Sequence, residues 1–284
     1  MRILGAGIAG MLAGLAFPKA EIHEVASSFK DSHKALMRFR TKDIGVFCGI
    51  PFREVLVRKG IWFNGKFDRA TIKHANQYSK KVVGRIIERS IWNLDDATRY
   101  IAPEDFVVQL SERLGDRVIY NSPFSAEVAD ICISTIPMST MTRIIAPPTQ
   151  APTFEFQSIN VKRWLVKDAD VFQTIYFPDP ETNLYRASIT KDLLIAEGMG
   201  DFDPHYVMLA FGLTPADVVL LEDVTQSYGK IAPIDEDWRL SYIGWLTTEK
   251  KIFSLGRYGT WRNILLDDVL KDINIIKRWL KGRD

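Results

Sequence analysis

Hydrophobic and polar positions along this chain fall into two regimes. At both ends and at one place in the middle, short apolar runs of strand length adjoin apolar stretches of helical length, whereas the interior carries β-branched and aromatic residues in strand-sized blocks. Residues 2–4 predict a strand, 11–17 an apolar helix and 21–25 a second strand, which together make a βαβ unit. Residues 103–114 predict a helix, 117–120 a strand, 129–137 a buried strand closing on Pro137, 251–255 another strand and 264–280 a final helix, all readable as returns to the same sheet. An antiparallel sheet is expected from strands at 154–166, 171–177, 184–190 and 193–197, with 179–183 as a connecting turn. Helices are expected at 70–84, 203–213 and 214–222. The last two rest on Asp203 and Thr214 as N-caps, each followed by a proline at the first helical position.

The first helix opens on Gly5-Ala6-Gly7-Ile8-Ala9-Gly10, directly after the first strand. Gly5 permits a tight turn, Gly7 lets backbone amides approach a pyrophosphate, and Gly10 lets the helix pack closely on the strand, with the helix N-terminus facing the phosphates. Glu24 stands near the end of the second strand, where a carboxylate accepts hydrogen bonds from a ribose diol and disfavours a 2′-phosphate. The pattern predicts a dinucleotide site for NAD or FAD rather than NADP.

With 284 residues, 46% hydrophobic and 25% charged, the chain can bury a core as one large or two interleaved domains. Cys48 and Cys132 are far apart, which disfavours a disulfide framework, a structural zinc site and a CxxC redox centre. His23, His33, His74 and His205 are too scattered to propose metal ligands, and no second GxGxxG is present. Arg2 followed by an apolar stretch has the outline of a secretory signal, but four glycines break the run and Pro18-Lys19-Ala20-Glu21 is a poor cleavage site. No stretch reaches the ~18 apolar residues of a membrane span. A cytoplasmic protein with no membrane partner is expected.

Charge is uneven. Residues 34–89 carry a net charge of +10, leaving −8 for the rest of a chain whose total is +2. Such a block suggests a polyanion partner, and Trp62, Phe63, Tyr78 and Trp92 are candidates to stack a base.

The opening motif, the Ala129-Asp130-Ile131-Cys132-Ile133-Ser134-Thr135-Ile136-Pro137 strand and the Gly256-Arg257 turn before the last helix together resemble the FAD-binding fold of amine oxidases, protoporphyrinogen oxidases and UDP-galactopyranose mutases. The likeness covers the two ends and a middle strand. It implies an α/β architecture: a discontinuous Rossmann-like FAD-binding domain (1–57, 100–140 and 250–284), a basic helical insertion (58–99) and an antiparallel-sheet substrate domain acting as a lid (141–249). The cofactor it implies is FAD, held by Gly5, Gly7, Gly10, Glu24, Arg38, Val118, Gly256, Arg257 and the amides near Asn263 and Ile264. A helix N-terminus at that last place would stabilise negative charge on a reduced flavin. The competing reading pairs Arg257 with Asp267 or Asp268 as structure alone.

Segments 33–40, 49–53, 57–62 and 184–190 also resemble small bacteriophage flavoproteins, the flavin-dependent lyases of thymine hypermodification pathways. That resemblance implies oxidative C–N cleavage of an amino-acid-modified thymine, in DNA or as a nucleotide, with dioxygen as possible electron acceptor and a host cytoplasm as the setting. The substrate carboxylate needs a bidentate clamp, for which Arg58 and Arg186 are the candidates. The alternative is a mutase of the galactopyranose type, in which arginines hold a nucleotide diphosphate; against it, His33-Lys34-Ala35-Leu36 replaces that family's histidine-containing glycine-rich loop. A third reading is a DNA-binding module that keeps FAD only for folding.

Overall fold

The structure, a computed structural model, describes residues 1–30, 36–88, 90–124 and 131–281. The chain opens with β1 (Arg2–Leu4), α1 (Ile8–Ala16) and β2 (Glu21–His23), continues through β3 (Arg38–Phe39), α2 (Asp43–Cys48), β4 (Arg53–Phe63), β5 (Lys66–Asp68) and α3 (Ile72–Val83), and returns by β6 (Ala97–Ile101), α4 (Phe106–Leu114), β7 (Val118–Ile119), β8 (Cys132–Ser134) and α5 (Met138–Ile144). The interior supplies β9 (Phe156–Val166), β10 (Val171–Tyr176), β11 (Leu184–Lys191), β12 (Leu193–Gly198), α6 (His205–Phe211) and β13 (Val218–Ile231). The chain closes with α7 (Glu236–Glu249), β14 (Ile252–Ser254), α8 (Gly256–Gly259) and α9 (Leu266–Lys281).

Five strands form a parallel sheet in the order β14-β8-β1-β2-β7. Its strands are short, and β8, an interior strand, is buried on both faces, as a sheet covered on both sides requires. Ile3, Ile133 and Phe253 face α1, α4 and α9, while their chain neighbours Leu4, Cys132 and Ile252 face α5 and α7. Gly14 lets α1 lie against Ile22 and Leu114, whose side chains occupy the space a Cβ would need.

The second sheet is mixed, in the order β13-β9-β12-β11-β10-β4-β6-β3, with β5 paired to β4. Among the described residues the β4–β10 pairing is the parallel one in this sheet. One face packs Trp164, Ile175, Leu184, Ala187 and Leu194 against Val207 and Met208 of α6. The other carries Ile61, Ile159, Val161, Tyr176 and Tyr185 against Tyr78 and Val82 of α3.

The fold class read from the sequence stands, with three local differences. The helix expected at 214–222 is a single 3-10 turn, Pro215–Asp217. Thr214 and Asp217 do form a capping box, but Val218-Val219-Leu220-Leu221 then runs into a 14-residue strand paired along β9, because β-branched residues opposite a ready ladder outweigh a start signal. The helical insertion expected at 58–99 is only partly helical. β4 runs through position 58, turns back into β5 at Asn64-Gly65, both with positive φ, and leaves α3 as the one α-helix of that segment among the described residues. Finally, α7 lies within 141–249 yet packs Tyr242 and Leu246 on the parallel sheet rather than on the mixed one.

A Cβ on Gly10 would land inside the carbonyl oxygen of Gly5, with backbone on both sides and nothing free to move. Gly10→Ala is therefore expected to lower the unfolding free energy by about 1–3 kcal/mol, the usual range for overpacking, read from a urea titration.

Candidate cofactor and substrate site

The glycine loop is built as its spacing demands. Gly5 takes φ +93° and donates its N–H to His23 O at 2.8 Å, turning the chain out of β1. Gly7 caps α1 in an extended conformation with no side-chain bond and no acidic residue in the first turn, so no side chain of the helix itself occupies its amino end. Nothing lies within 4 Å of where a Gly7 Cβ would sit. Glu24 Oε2 accepts from the N–H of Ala6 at 2.7 Å and its Oε1 from that of Ala26 at 2.9 Å, which fixes the carboxylate beside the loop. A cavity of about 190 Å³ opens there, lined by Gly7, Met11, Glu24, Lys30, Val107 and Tyr120. Val118 is half-buried on β7 and packs towards the core; Tyr120, two residues on, reaches the cavity instead.

The carboxy-terminal motif meets this loop directly. Gly256, at φ +81°, brings α8 down on Ala9, and Gly259 lies against Ser134 O. Trp261 also holds a left-handed φ of 48°, kept there by Phe154 and Phe156 at 4.8 and 5.0 Å and by its indole N–H donating to Ala232 O at 2.9 Å. These contacts place Arg257, Asn263 and Leu265 along one side of a cavity of about 550 Å³, whose opposite wall is the mixed sheet and α3: Tyr78, Ile159, Tyr185, Arg186, Glu197 and Lys230.

Tyr185 and Arg186 are consecutive, and a regular strand would send them to opposite faces. The register of β11 against β12 shifts between Leu184 and Arg186, and this bulge turns both side chains into the cavity. Arg186 Nε donates to Glu197 Oε2 at 2.5 Å, and its Nη2 pairs with the same oxygen. Lys230 Nζ lies 3.9 Å from the centre of the Tyr185 ring. Burial, followed by the Glu197 charge, pushes the Tyr185 phenol well above its ordinary range, so it stays protonated as a donor.

Two guanidinium nitrogens, Arg38 Nη1 and Arg257 Nε, are buried without a hydrogen-bond partner among the described residues. Burial first, and then the like charge of Arg186, bring the Arg38 pKa down to about 10. The competing pairing of Arg257 with Asp267 or Asp268 is not formed: both carboxylates take Arg40, at 3.6 and 2.7 Å. Asp267 Oδ1 also accepts the N–H groups of Arg40 and Thr41, at 3.1 and 3.2 Å, stitching the turn after β3 to the start of α9.

The amides expected near Asn263 and Ile264 are only partly open. The Ile264 N–H donates to Arg262 O at 2.9 Å, that of Leu265 to Asp268 Oδ2 at 3.1 Å, and α9 itself begins at Leu266. Arg58 is exposed on β4, on the face opposite its neighbour Val57, and does not line the cavity. Tyr185, Glu197 and Lys230 line the cavity without having been singled out as site residues from sequence. Tyr185 depends on a bulge, and Lys230 lies at the end of a strand whose start was read as helix.

Much of the basic block serves the fold. Arg53 pairs with Asp170 at 2.8 Å, Lys59 donates to Asn93 O at 3.2 Å, and Lys81 is enclosed by main-chain carbonyls. Trp62 and Phe63 pack on Phe67 and His74, Tyr78 is buried, and Trp92 is 55% exposed. Residues 34 and 89 of the block, and segment 33–35 of the phage-like stretch, lie outside the described residues. Among the described residues no group of three or more His, Cys, Asp or Glu could hold a metal ion, and no helix is long and apolar enough to cross a membrane.

With this geometry in view, the chain is similar to solved structures. A reduced UDP-galactopyranose mutase matches with a TM-score of 0.63 over 92% of this chain and 89% of its own, at 14% identity. The PF1083 protein of Pyrococcus furiosus matches with 0.54 over 96% of each chain at 10% identity. The p-nitrophenol 4-monooxygenase PnpA of Pseudomonas putida DLL-E4 matches with 0.50 over 79% of this chain and 66% of its own, at 12% identity. The likeness is one of fold. No protein-family model and no curated protein matches the chain.

Asp267 is almost fully buried and makes charged hydrogen bonds to two backbone amides and an ion pair with Arg40. Asp267→Ala is expected to cost about 2 kcal/mol of stability, the usual worth of hydrogen bonds to a charged group, read from the shift of a urea midpoint.

Proposed function

We propose that this chain is an FAD-dependent enzyme that acts on an anionic substrate in the 550 Å³ cavity. The observation that carries the reading is the seating of Gly256 on Ala9, which joins a glycine loop with an open helix end to a cavity walled by the opposite sheet. The residues fit the cofactor: Gly7 leaves room for a diphosphate, Glu24 offers a fixed carboxylate to ribose hydroxyls, and Arg38 and Arg257 carry buried nitrogens that lack acceptors. When bound, FAD supplies a two-electron acceptor or, once reduced, a nucleophile.

The chain's own residues then bind and orient. Arg186, neutralised and held rigid by Glu197, presents its remaining N–H groups to a carboxylate or phosphate; Lys230 and Arg257 add positive charge; and Tyr185 contributes a protonated hydroxyl. The finer reading is oxidative C–N cleavage of an amino-acid-modified thymine in phage DNA, in a host cytoplasm, with dioxygen as final electron acceptor. Its support is the resemblance of the sequence to phage flavin-dependent lyases and the presence of Arg186, though not Arg58, at the cavity. A second reading, a sugar-nucleotide mutase, is favoured by the fold likeness to UDP-galactopyranose mutase over nearly the whole of both chains.

A visible spectrum tests the cofactor: purified protein is expected to show the near-ultraviolet and blue bands of flavin, and colourless, folded protein that takes up no FAD would overturn the reading. Gly7→Ala is expected to change stability by about 1 kcal/mol or less while weakening FAD binding by roughly tenfold or more, since its methyl enters only the space left for the ligand. For the reaction, anaerobic bleaching by DNA carrying glycine-modified thymine, with release of glyoxylate, supports the lyase. Turnover of UDP-galactopyranose by the reduced protein alone supports the mutase.

A further inference from the structure

Lys81 does not follow its neighbour Lys80 into solvent. Its ammonium reaches from α3 to the connection between β10 and β11, where the carbonyl oxygens of Phe177 and Leu184 accept at 2.8 and 3.0 Å and that of Asp179 completes the set. Three acceptors match the three N–H groups of an ammonium. No carboxylate closes on it among the described residues; Asp179 turns its own carboxylate to the N–H of Glu181 at 3.0 Å.

The Leu184 carbonyl has a particular position. It immediately precedes the bulge that brings Tyr185 and Arg186 to one face, where the ladder to β12 is interrupted. A bulge is one residue away from regular pairing, and regular pairing would send one of the two side chains to the far face of the sheet. Lys81 therefore supplies a donor at the place where the ladder breaks, from the same helix whose Tyr78 and Val82 line the cavity.

We propose that Lys81 is a positioning residue: its carbonyl-caged ammonium pegs α3 to the 177–184 turn and holds the β11 bulge, and so sets Tyr78, Tyr185 and Arg186 around the cavity. What the cavity binds rests on the function proposed above; the peg itself does not.

The charged and titratable groups around the ammonium are few. Asp179 faces it from the turn, Tyr185 follows on β11 with its phenol directed to Glu197, and on α3 itself Lys80 is exposed. Burial brings the Lys81 pKa down from 10.5 to about 8, against a smaller upward pull from Asp179. Because the folded pKa lies below the unfolded one, the folded state binds this proton less tightly, and stability owed to Lys81 rises as pH climbs from about 8 to 10.5.

The test is hydrogen exchange on the protein as purified, comparing wild type with Lys81→Met. Amides around 78–83 and 184–187 are expected to exchange roughly tenfold or more faster in the variant, the consequence of losing charged hydrogen bonds, while β1 and α1 are unchanged. Unaltered exchange in both segments would overturn the peg, whether or not the protein proves to be yellow. If Lys81→Met fails to fold, Lys81→Gln, which keeps two donors, is compared instead, and the same two segments decide. As a second readout, the stability difference between wild type and the variant is expected to move in favour of wild type between pH 8 and 10.5.

Discussion

The site depends on how closely backbone can approach backbone near the start of the chain. The Gly5 carbonyl fills the space a side chain at position 10 would need, and Gly256 rests on the Ala9 methyl. Glycine gives up more backbone freedom on folding than any other residue, so each of these positions costs conformational entropy. The cost is offset by the two apolar layers that close over the parallel sheet, Ile3, Ile22 and Ile133 among them, none of which is accessible to solvent. Because that contact is tight, the start of α1 and the α8 turn that carries Arg257 lie side by side. A looser crossing would separate the glycine loop from the cavity wall.

The opposite wall is set by electrostatics as much as by packing. Arg186 and Glu197 face each other across β11 and β12 and neutralise one another, so the pair is a fixed dipole rather than a net charge. The surplus is positive: Lys230 and Arg257 line the same cavity, and Arg38, whose pKa is lowered first by burial and then by the like charge of Arg186, adds a further guanidinium. Glu155 is the remaining carboxylate in the lining. Arg38 Nη1 and Arg257 Nε, buried without an acceptor among the described residues, favour an anionic occupant, because an unpaired buried donor costs free energy until something accepts its hydrogen bond.

What the sequence made legible follows from the range over which its signals act. The βαβ unit, the four interior strands and the last helix were readable because period and turn chemistry are local, and the glycine spacing carried its meaning in six consecutive residues. The 214–222 segment misled because its start signal is also local: Thr214, Pro215 and Asp217 do form a capped turn, while the decision between helix and strand is made by β9, some fifty residues away. The same limit applies to the site. Gly5, Gly7, Gly10, Glu24 and Arg257 stand in motifs, whereas Tyr185 reaches the cavity through a register shift and Lys230 through the pairing of β13, neither of which leaves a mark on neighbouring residues. Arg58 shows the converse: its residue type suited a carboxylate clamp, but strand alternation sends it to the other face.

The basic block illustrates how a sum over sequence differs from a field at a surface. Of the charge in 34–89, Arg40 is tied to α9, Arg53 to Asp170, Lys81 to three carbonyls and Arg38 to the neighbourhood of Arg186, so none of these four presents a free charge to a passing polyanion. The exposed remainder is Lys42, Arg58, Lys66, Arg69, Lys73, Lys80 and Arg85, accompanied by the exposed aromatic rings of Phe67 and Trp92. Lys80 is adjacent to Lys81, and Arg85 follows the end of α3 by two residues, so both lie beside the helix that lines the cavity with Tyr78 and Val82. Position on that helix does not by itself make a binding surface, since charge summed along a sequence becomes a field only where exposed side chains share a face.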